Sequence, residues 1–416
     1  MTPRRTILKA LSGLALLPAM AHRALAGVRM KITDIRVVKL RVVQHIGDLY
    51  GTFRKPPLKT SYNIGGGSII EIHTDQGLVG IGPGEGAGAE INPGMINAAR
   101  NLLVGQDPFD IQTHAFALYG RPGGAYLEIA LWDLIGKASN QPLYKLWGGA
   151  KDKVMPYASQ HTLGTPEERA QMALTVKAQG WKAMKLRASF PTMKEDVEVV
   201  EAVRKAAGDD FIIMCDGNKA PDLPGSGSNG SLLPGTVSVS PNLAPWDFRR
   251  AVDTAREYQR LNVYWLEEPL PRFDFEELAE LNHLVEMPIA GGEANHGLHE
   301  FRWMLEQGSF DIVQPEVMSE GPTMMRAIAD LAEAFDKRIV PHEGFVGLGT
   351  LCAMHLVCSW PHAPTLEVIH EPPIADHKYR WSQFTEPILL DKDGYMSPPS
   401  GPGLGVTINP DLIDKG

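Results

Sequence analysis

The sequence predicts an α/β protein: a parallel TIM-type barrel preceded by a smaller α+β domain. Three observations predict it. Short apolar runs end in turn on charged or titratable residues, giving Lys185 with Arg187, then Asp216, Glu267, Glu293, Glu316, His342 and Glu367. From residue 185 these ends are spaced by 31, 51, 26, 23, 26 and 25 residues, close to the ~30 residues of one βα unit. The chain has 416 residues and 44% hydrophobic content, enough for a barrel core and an accessory domain. One carboxylate at a strand end is ordinary. Seven such ends in register predict strands that finish at one mouth, where this fold places its chemistry.

Residues 1–26 read as a targeting segment outside the fold. Arg4-Arg5-Thr-Ile-Leu-Lys9 is a twin-arginine start, Ala10 to Ala21 is apolar but too short to span a bilayer, and Ala24-Leu25-Ala26 is a small-x-small cleavage site. The expectation is export by the twin-arginine route to the periplasm or beyond, a mature chain from about Gly27, and no stable membrane insertion afterwards. An uncleaved anchor is the alternative. Cys215, Cys352 and Cys358 are odd in number and at no metal-like spacing, so they read as buried apolar side chains. A formal charge of −9 excludes a nucleic-acid partner.

Residues 27–150 read as the α+β domain. Lys31 to Val43 alternates as a strand, Ser68 to Gly77 is a second strand running into a turn, and Leu78 to Gly82 is a third. Asn92–Leu103 and Ala125–Ala138 have helical apolar periodicity. Between the first strands, His45 to Gly67 is polar and rich in Gly and Pro, with His45, Tyr50, Arg54, Lys55 and Lys59. It reads as a loop, either plain surface or a lid over the barrel mouth. Residues 151–375 form the barrel. The long interval after Asp216 holds Pro221–Gly235, a loop insertion on the catalytic face. Residues 376–416 carry turn signals and are expected to pack back on the first domain.

Three carboxylates at one barrel mouth repel one another unless a cation sits among them. An all-oxygen set such as Asp216, Glu267 and Glu293 favours a hard ion, Mg²⁺, over zinc. In Glu267-Glu268 the pleat turns one carboxylate inward, assigned to Glu267, and sends Glu268 outward. Asn218 supports Asp216. Lys185 and Arg187 flank the ion on one side; Glu316, His342 and Glu367 flank it on the other. This layout suits abstraction of a proton α to a carboxylate and stabilisation of the resulting enediolate. His342 is the expected base, oriented by Glu316, and a protonated Glu367 would donate to the enolate oxygen.

At this point the residues resemble the mandelate racemase subgroup of the enolase superfamily. The likeness lies in Glu128-Ile-Ala-Leu-Trp-Asp133, Pro142 to Gly149, Asp216-Gly-Asn218, Trp265-Leu-Glu-Glu-Pro269, Gly291-Gly-Glu293, Asp311 to Pro315 and Gly401-Pro-Gly-Leu-Gly405. It implies a modified TIM barrel, (β/α)7β, under an N-terminal α+β capping domain completed by the C-terminal segment. It implies Mg²⁺ on Asp216, Glu267 and Glu293, a specificity loop at His45–Gly67, and a homo-oligomer. Two positions depart from the usual pattern. Arg187 stands where the second Lys of Lys-x-Lys serves as a base, and arginine stays protonated. Glu316 stands where the histidine partner is usually Asp.

Racemisation needs a base on each face of the α-carbon, and with Arg187 in place only Lys185 is left for the second. Dehydration needs one base. His45, Tyr50, Arg54, Gln160, His161, His296 and His370 suit a polyhydroxy substrate. The expected function is dehydration of a sugar acid to a 2-keto-3-deoxy acid, with a small-molecule carboxylate as partner. The alternatives are an epimerase, racemase or cycloisomerase, and an exported sugar-acid-binding barrel without turnover.

Overall fold

A computed structural model of the chain describes residues 29–51, 58–86, 89–219, 246–343 and 347–414. The expected targeting segment 1–26, Arg54, Lys55 and the Pro221–Gly235 insertion lie outside these residues. The chain opens with β1 (Ile32–Lys39), β2 (Val42–Gly51), β3 (Leu58–Gly65), β4 (Ser68–Thr74) and β5 (Val79–Pro83). β1, β4 and β5 make one antiparallel sheet, while β2 and β3 pair only with each other.

The expected loop at His45–Gly67 therefore holds two paired antiparallel strands, β2 and β3, a hairpin arrangement on either side of residues 52–57. Register shifts between Val42 and Gln44 and between His45 and Gly47 break the period-2 pattern that would have marked it as strand. Two-residue strands β6 (Glu85–Gly86) and β7 (Ala89–Glu90) follow, then α1 (Pro93–Leu103), α2 (Ile111–Leu118), α3 (Gly124–Ala138) and α4 (Leu143–Leu146). Asn92 caps α1 with its side chain and Pro93 begins it, a favoured start. α2 is an addition to the expected helices.

The barrel follows as β8 (Met155–Ser159), α5 (Pro166–Ala178), β9 (Ala183–Arg187), α6 (Met193–Ala207), β10 (Ile212–Asp216), α7 (Phe248–Arg260), β11 (Val263–Glu267) and α8 (Phe275–Leu284). It continues with β12 (Ile289–Gly291), α9 (Gly297–Gln307), β13 (Ile312–Val313), α10 (Val317–Ala334), β14 (Arg338–Ile339), α11 (Leu348–Ser359) and β15 (Thr365–Ile369). Thr165 and Thr192 start α5 and α6 with capping boxes closed by Glu168 and Glu195. All eight strands are parallel, ordered β14-β13-β12-β11-β10-β9-β8-β15. Among the described residues seven helices separate them, and only the short α12 (His377–Arg380) and a 3-10 turn at Pro410–Leu412 follow β15: this is (β/α)7β. The β14–β15 seam has no strand ladder. It is spanned by Ile339 N–H to His362 O at 3.5 Å and Glu343 N–H to the Glu367 carboxylate at 3.0 Å.

The barrel interior explains the site above it. Tyr157, Ala183, Met214, Trp265, Ala290, Ile312 and Val340 fill one buried apolar layer. Two residues further along three neighbouring strands, the same inward direction presents Lys185, Asp216 and Glu267. The polar layer stands on an apolar floor.

The C-terminal segment returns to the first domain through bridges Leu40–Ile413 and Pro142–Gly403. Buried Asp133 binds three elements at once, accepting from Ile81 N at 2.8 Å, Leu404 N at 2.8 Å and Lys137 Nζ at 2.7 Å. Gly403 has φ +71°, and a Cβ there would lie 2.2 Å from Asp133 Oδ1, so this turn requires glycine. Glu128 accepts the Thr323 N–H at 2.6 Å, beside the Gly321 kink in α10. These quoted motif residues hold the fold rather than the chemistry. All three cysteines are free and buried, and no described helix is long and apolar enough to cross a membrane.

Candidate active site at the barrel mouth

Asp216, Glu267 and Glu293 each offer one oxygen, and these atoms lie within 4.8 Å of one another. Asp216 and Glu267 end adjacent strands in direct register, and Glu293 lies two residues past β12. Glu293 Oε2 is buried and accepts no hydrogen bond among the described residues. His342 Nε2 stands 3.2 Å away, within ion-pair reach but off the line of an N–H bond. Three converging carboxylates, one with an unpartnered buried oxygen, fit a hard cation.

Lys185 is fully buried beneath them, 2.7 Å from Glu267, 2.9 Å from Glu367 and 3.6 Å from Asp216. Burial works to lower its pKa, but these carboxylates overcome that and raise it. Its ammonium end is thus held among three carboxylates. Burial would push the Glu367 pKa up, yet Lys185 and His342 bring it down to about 2, a balance that favours the carboxylate over the expected protonated form. Glu267 is raised to about 7, by burial first and, against the pull of Lys185, by the neighbouring Asp216 and Glu367 charges.

Arg187 bonds inward to the protein. Its Nη1 donates to Asp216 Oδ2 and, at 2.8 Å, to Asn218 Oδ1; its Nε donates to Gln160 O at 2.9 Å. The carboxylate it clamps is one of the protein's own, Asp216. Asn218 completes the brace, donating from its main chain and side chain to Asp216 at 2.9 and 3.1 Å.

Across the mouth, Glu316 and His342 meet through a parallel bridge that extends the β13–β14 direction. His342 Nδ1 donates to Glu316 Oε2 at 2.8 Å, and Glu316 Oε1 accepts the Met318 N–H at 2.9 Å. The longer side chain of Glu316 still forms the dyad. Burial would lower the His342 pKa, but Glu293, Glu316 and Glu367 raise it well above the usual imidazole range.

The other expected residues divide. His161 is joined to the hairpin, its Nε2 3.1 Å from Thr60 Oγ1, while its N–H donates to Glu371 at 2.7 Å. His296 sits at the start of α9, half exposed, held by Glu320 at 2.9 Å. His45 is bonded to Asn63 at 2.9 Å within the hairpin, and Tyr50 is 51% exposed there. Among the described residues neither of these two pairs with the barrel. Gln160 is tied to Arg169 and to His370 O. His370 is fully buried and stacked on Trp181 at 4.7 Å, so it is no substrate contact.

Glu268 also differs from expectation. It has φ +42°, which ends the pleat one residue after Glu267, and its side chain is buried. Burial and the nearby Glu293 push its pKa well up. The expectations missed Gln314, whose Nε2 donates to Glu267 Oε2 at 2.8 Å. Its signal was the inward alternation from Ile312 to 314.

The capped (β/α)7β barrel, with carboxylates on successive strands facing a His–Glu pair, defines a class of acid–base barrel proteins. Residues 167–412 match the model of the enolase C-terminal domain-like family, and residues 60–148 match that of the mandelate racemase / muconate lactonizing enzyme N-terminal domain. The chain belongs to the mandelate racemase / muconate lactonizing enzyme branch of the enolase superfamily. It is 27% identical to the arabinonate dehydratase of Saccharolobus solfataricus, over 83% of this chain and 89% of that one. It is 29% identical to the L-talarate/galactarate dehydratase of Salmonella typhimurium, over 82% and 80%. Its fold is similar to the crystal structure of the 3,6-anhydro-D-galactonate cycloisomerase of Zobellia galactanivorans, with TM-score 0.71, 25% identity, and coverage of 92% and 100%.

Proposed function

We propose that the protein is a Mg²⁺-dependent sugar-acid dehydratase. His342 takes the proton at C2 of a 2,3-dihydroxy acid; the C3–O bond then breaks, and the same imidazolium protonates the departing hydroxide. Water and an enol result, and the enol becomes a 2-keto-3-deoxy acid. The observation that carries this reading is the placement of His342, bonded to Glu316 at 2.8 Å through Nδ1 while Nε2 faces Glu293. With Lys185 committed to three carboxylates, one base remains, and dehydration needs only one.

Asp216, Glu267 and Glu293 would hold the Mg²⁺. The chemistry supplied there by the bound ion is charge stabilisation beside the substrate carboxylate. Arg187 and Asn218 keep Asp216 in place, and Gln314 keeps Glu267 in place. The hairpin, anchored by Thr60 to His161, would cover the sugar end and exclude water. The names of the matched dehydratases support this substrate class. Cycloisomerisation is the second reading, favoured because it too needs one base and because of the likeness to the cycloisomerase structure. We further propose export by the twin-arginine route and assembly into a homo-oligomer.

Proton NMR with Mg²⁺ in D₂O against a panel of hexonates, pentonates and aldarates tests the function. A 3-deoxy-2-keto product supports dehydration. Deuterium at C2 without loss of water supports isomerisation instead. No exchange across the panel, with Mg²⁺ bound, would sink both.

A further inference from the structure

A second group of ligand-type side chains lies apart from the three carboxylates, in the turn after β15. His370 follows the strand, and Asp376 and His377 open α12. His370 Nδ1 and His377 Nδ1 are 3.2 Å apart. Asp376 Oδ1 is 3.1 Å from His377 Nδ1 and 3.8 Å from His370 Nδ1. A tetrahedral ion with ligands at ~2.0–2.1 Å holds its donor atoms roughly 3.3 Å apart. Three donor atoms, from two imidazoles and one carboxylate, thus already stand at about the edges of one face of such a tetrahedron.

The surroundings suit the same reading. His370 Nε2 donates to Gln179 Oε1 at 2.6 Å, which fixes the tautomer and leaves the Nδ1 lone pair facing the cluster. Metal-binding histidines are oriented by this kind of second hydrogen bond. Trp181 lies flat on His370 and edge-on to His377, holding both ring planes. The two histidines are buried, while the Asp376 side chain is 15% exposed and opens one side to solvent for entry and a fourth ligand. The His377 N–H, 3.2 Å from His370 Nδ1, gives way when an ion takes that lone pair.

We propose that His370, Asp376 and His377 form a second metal site, for a borderline divalent ion of the Zn²⁺ type. Imidazole donors rank such ions above Mg²⁺, so the two sites differ in preference. The turn spanned by these ligands also carries Glu371, which accepts the His161 and Thr162 N–H groups. It carries Ile374 and Ala375, which pack with Tyr62 and Leu49 of the hairpin. An ion here braces the support beneath the hairpin.

The test uses the full chain, stripped of metal and then saturated with Mg²⁺, and titrates it with Co²⁺ as a spectroscopic probe. The expected result is one equivalent bound with the intense visible bands of four-coordinate Co²⁺, displaced by Zn²⁺, together with a higher Tm in Zn²⁺. His377→Ala and Asp376→Asn should each weaken Zn²⁺ binding by roughly 10- to 100-fold or more, and Asp216→Asn should leave it unchanged. Only weak six-coordinate bands, or an unchanged Zn²⁺ affinity in Asp376→Asn, would overturn the site. Asn keeps the cap of α12, so this variant decides the matter if His377→Ala does not fold.

Discussion

On the β9–β11 side of the mouth, each cation is committed to the protein's own carboxylates. Lys185 touches three of them, and Arg187 is bonded to Asp216, Asn218 and Gln160. On the β13–β14 side, His342 is bonded at one nitrogen only and faces the cluster with the other. Carboxylates raise the pKa of Lys185 and of His342 alike, so what separates the two sides is contact: Lys185 touches three carboxylates, while His342 makes its hydrogen bond through Nδ1 and turns Nε2 to the cluster. The lesson is that a place among the strand ends says less about a side chain than the contacts its neighbours make with it.

The comparison breaks most readily at His342. His342→Asn should lower turnover by roughly 10²- to 10⁴-fold while Mg²⁺ binding by calorimetry stays intact; near-normal turnover would shift the base to the other side. Lys185→Met tests the scaffold side. It leaves buried carboxylates unanswered, so urea unfolding without Mg²⁺ should show a loss of about 3–5 kcal/mol, partly restored by the ion.

A pH profile of the mouth is readable only if the scaffold's own response is known, and His355 supplies one part of that response. It is buried between Tyr144 N and Leu404 O, and burial lowers its pKa from 6.5 to about 4. The unfolded chain therefore takes up this proton more readily. The contribution is fully present above pH 6.5 and is lost as pH falls towards 4, on the order of 3 kcal/mol in all. His355→Gln should be less stable at pH 7 but lose less between pH 7 and 4.5 in urea melts. Glu316→Asp sharpens the dyad: the main chain here is set for the longer side chain, so kcat should fall about 10²-fold with little change in Tm. The smallest effect is expected at Tyr50→Phe, within ~0.5 kcal/mol in stability, with any kinetic change confined to KM.

Much of the barrel was legible because each strand carries two signals, an apolar run and a polar end, and a repeat multiplies both. Asp216, Glu267, Glu293, Glu316 and His342 converge for that reason. The failures are local breaks in period. The left-handed backbone at Glu268 defeats the alternation rule that should have turned it outward. The register shifts in β2 disguise a strand pair as a loop. His370 lies one residue past its strand, where position does not say whether the ring turns to the mouth or to Trp181. The commitment of Lys185 depends on Glu367, 182 residues away in sequence, and no spacing rule reaches that far.

The return of the C-terminal segment has a consequence for biosynthesis. Arg41 N–H bonds to Leu412 O and Asp414 N–H to Lys39 O, while β8 takes β15 as its outer neighbour. β8 thus meets its outer neighbour only once residues 365–369 exist, and until then it presents an unpaired strand edge. The first sheet can form from its own three strands, whereas the barrel closes late, and the contacts around Leu412 then seal the end of β1.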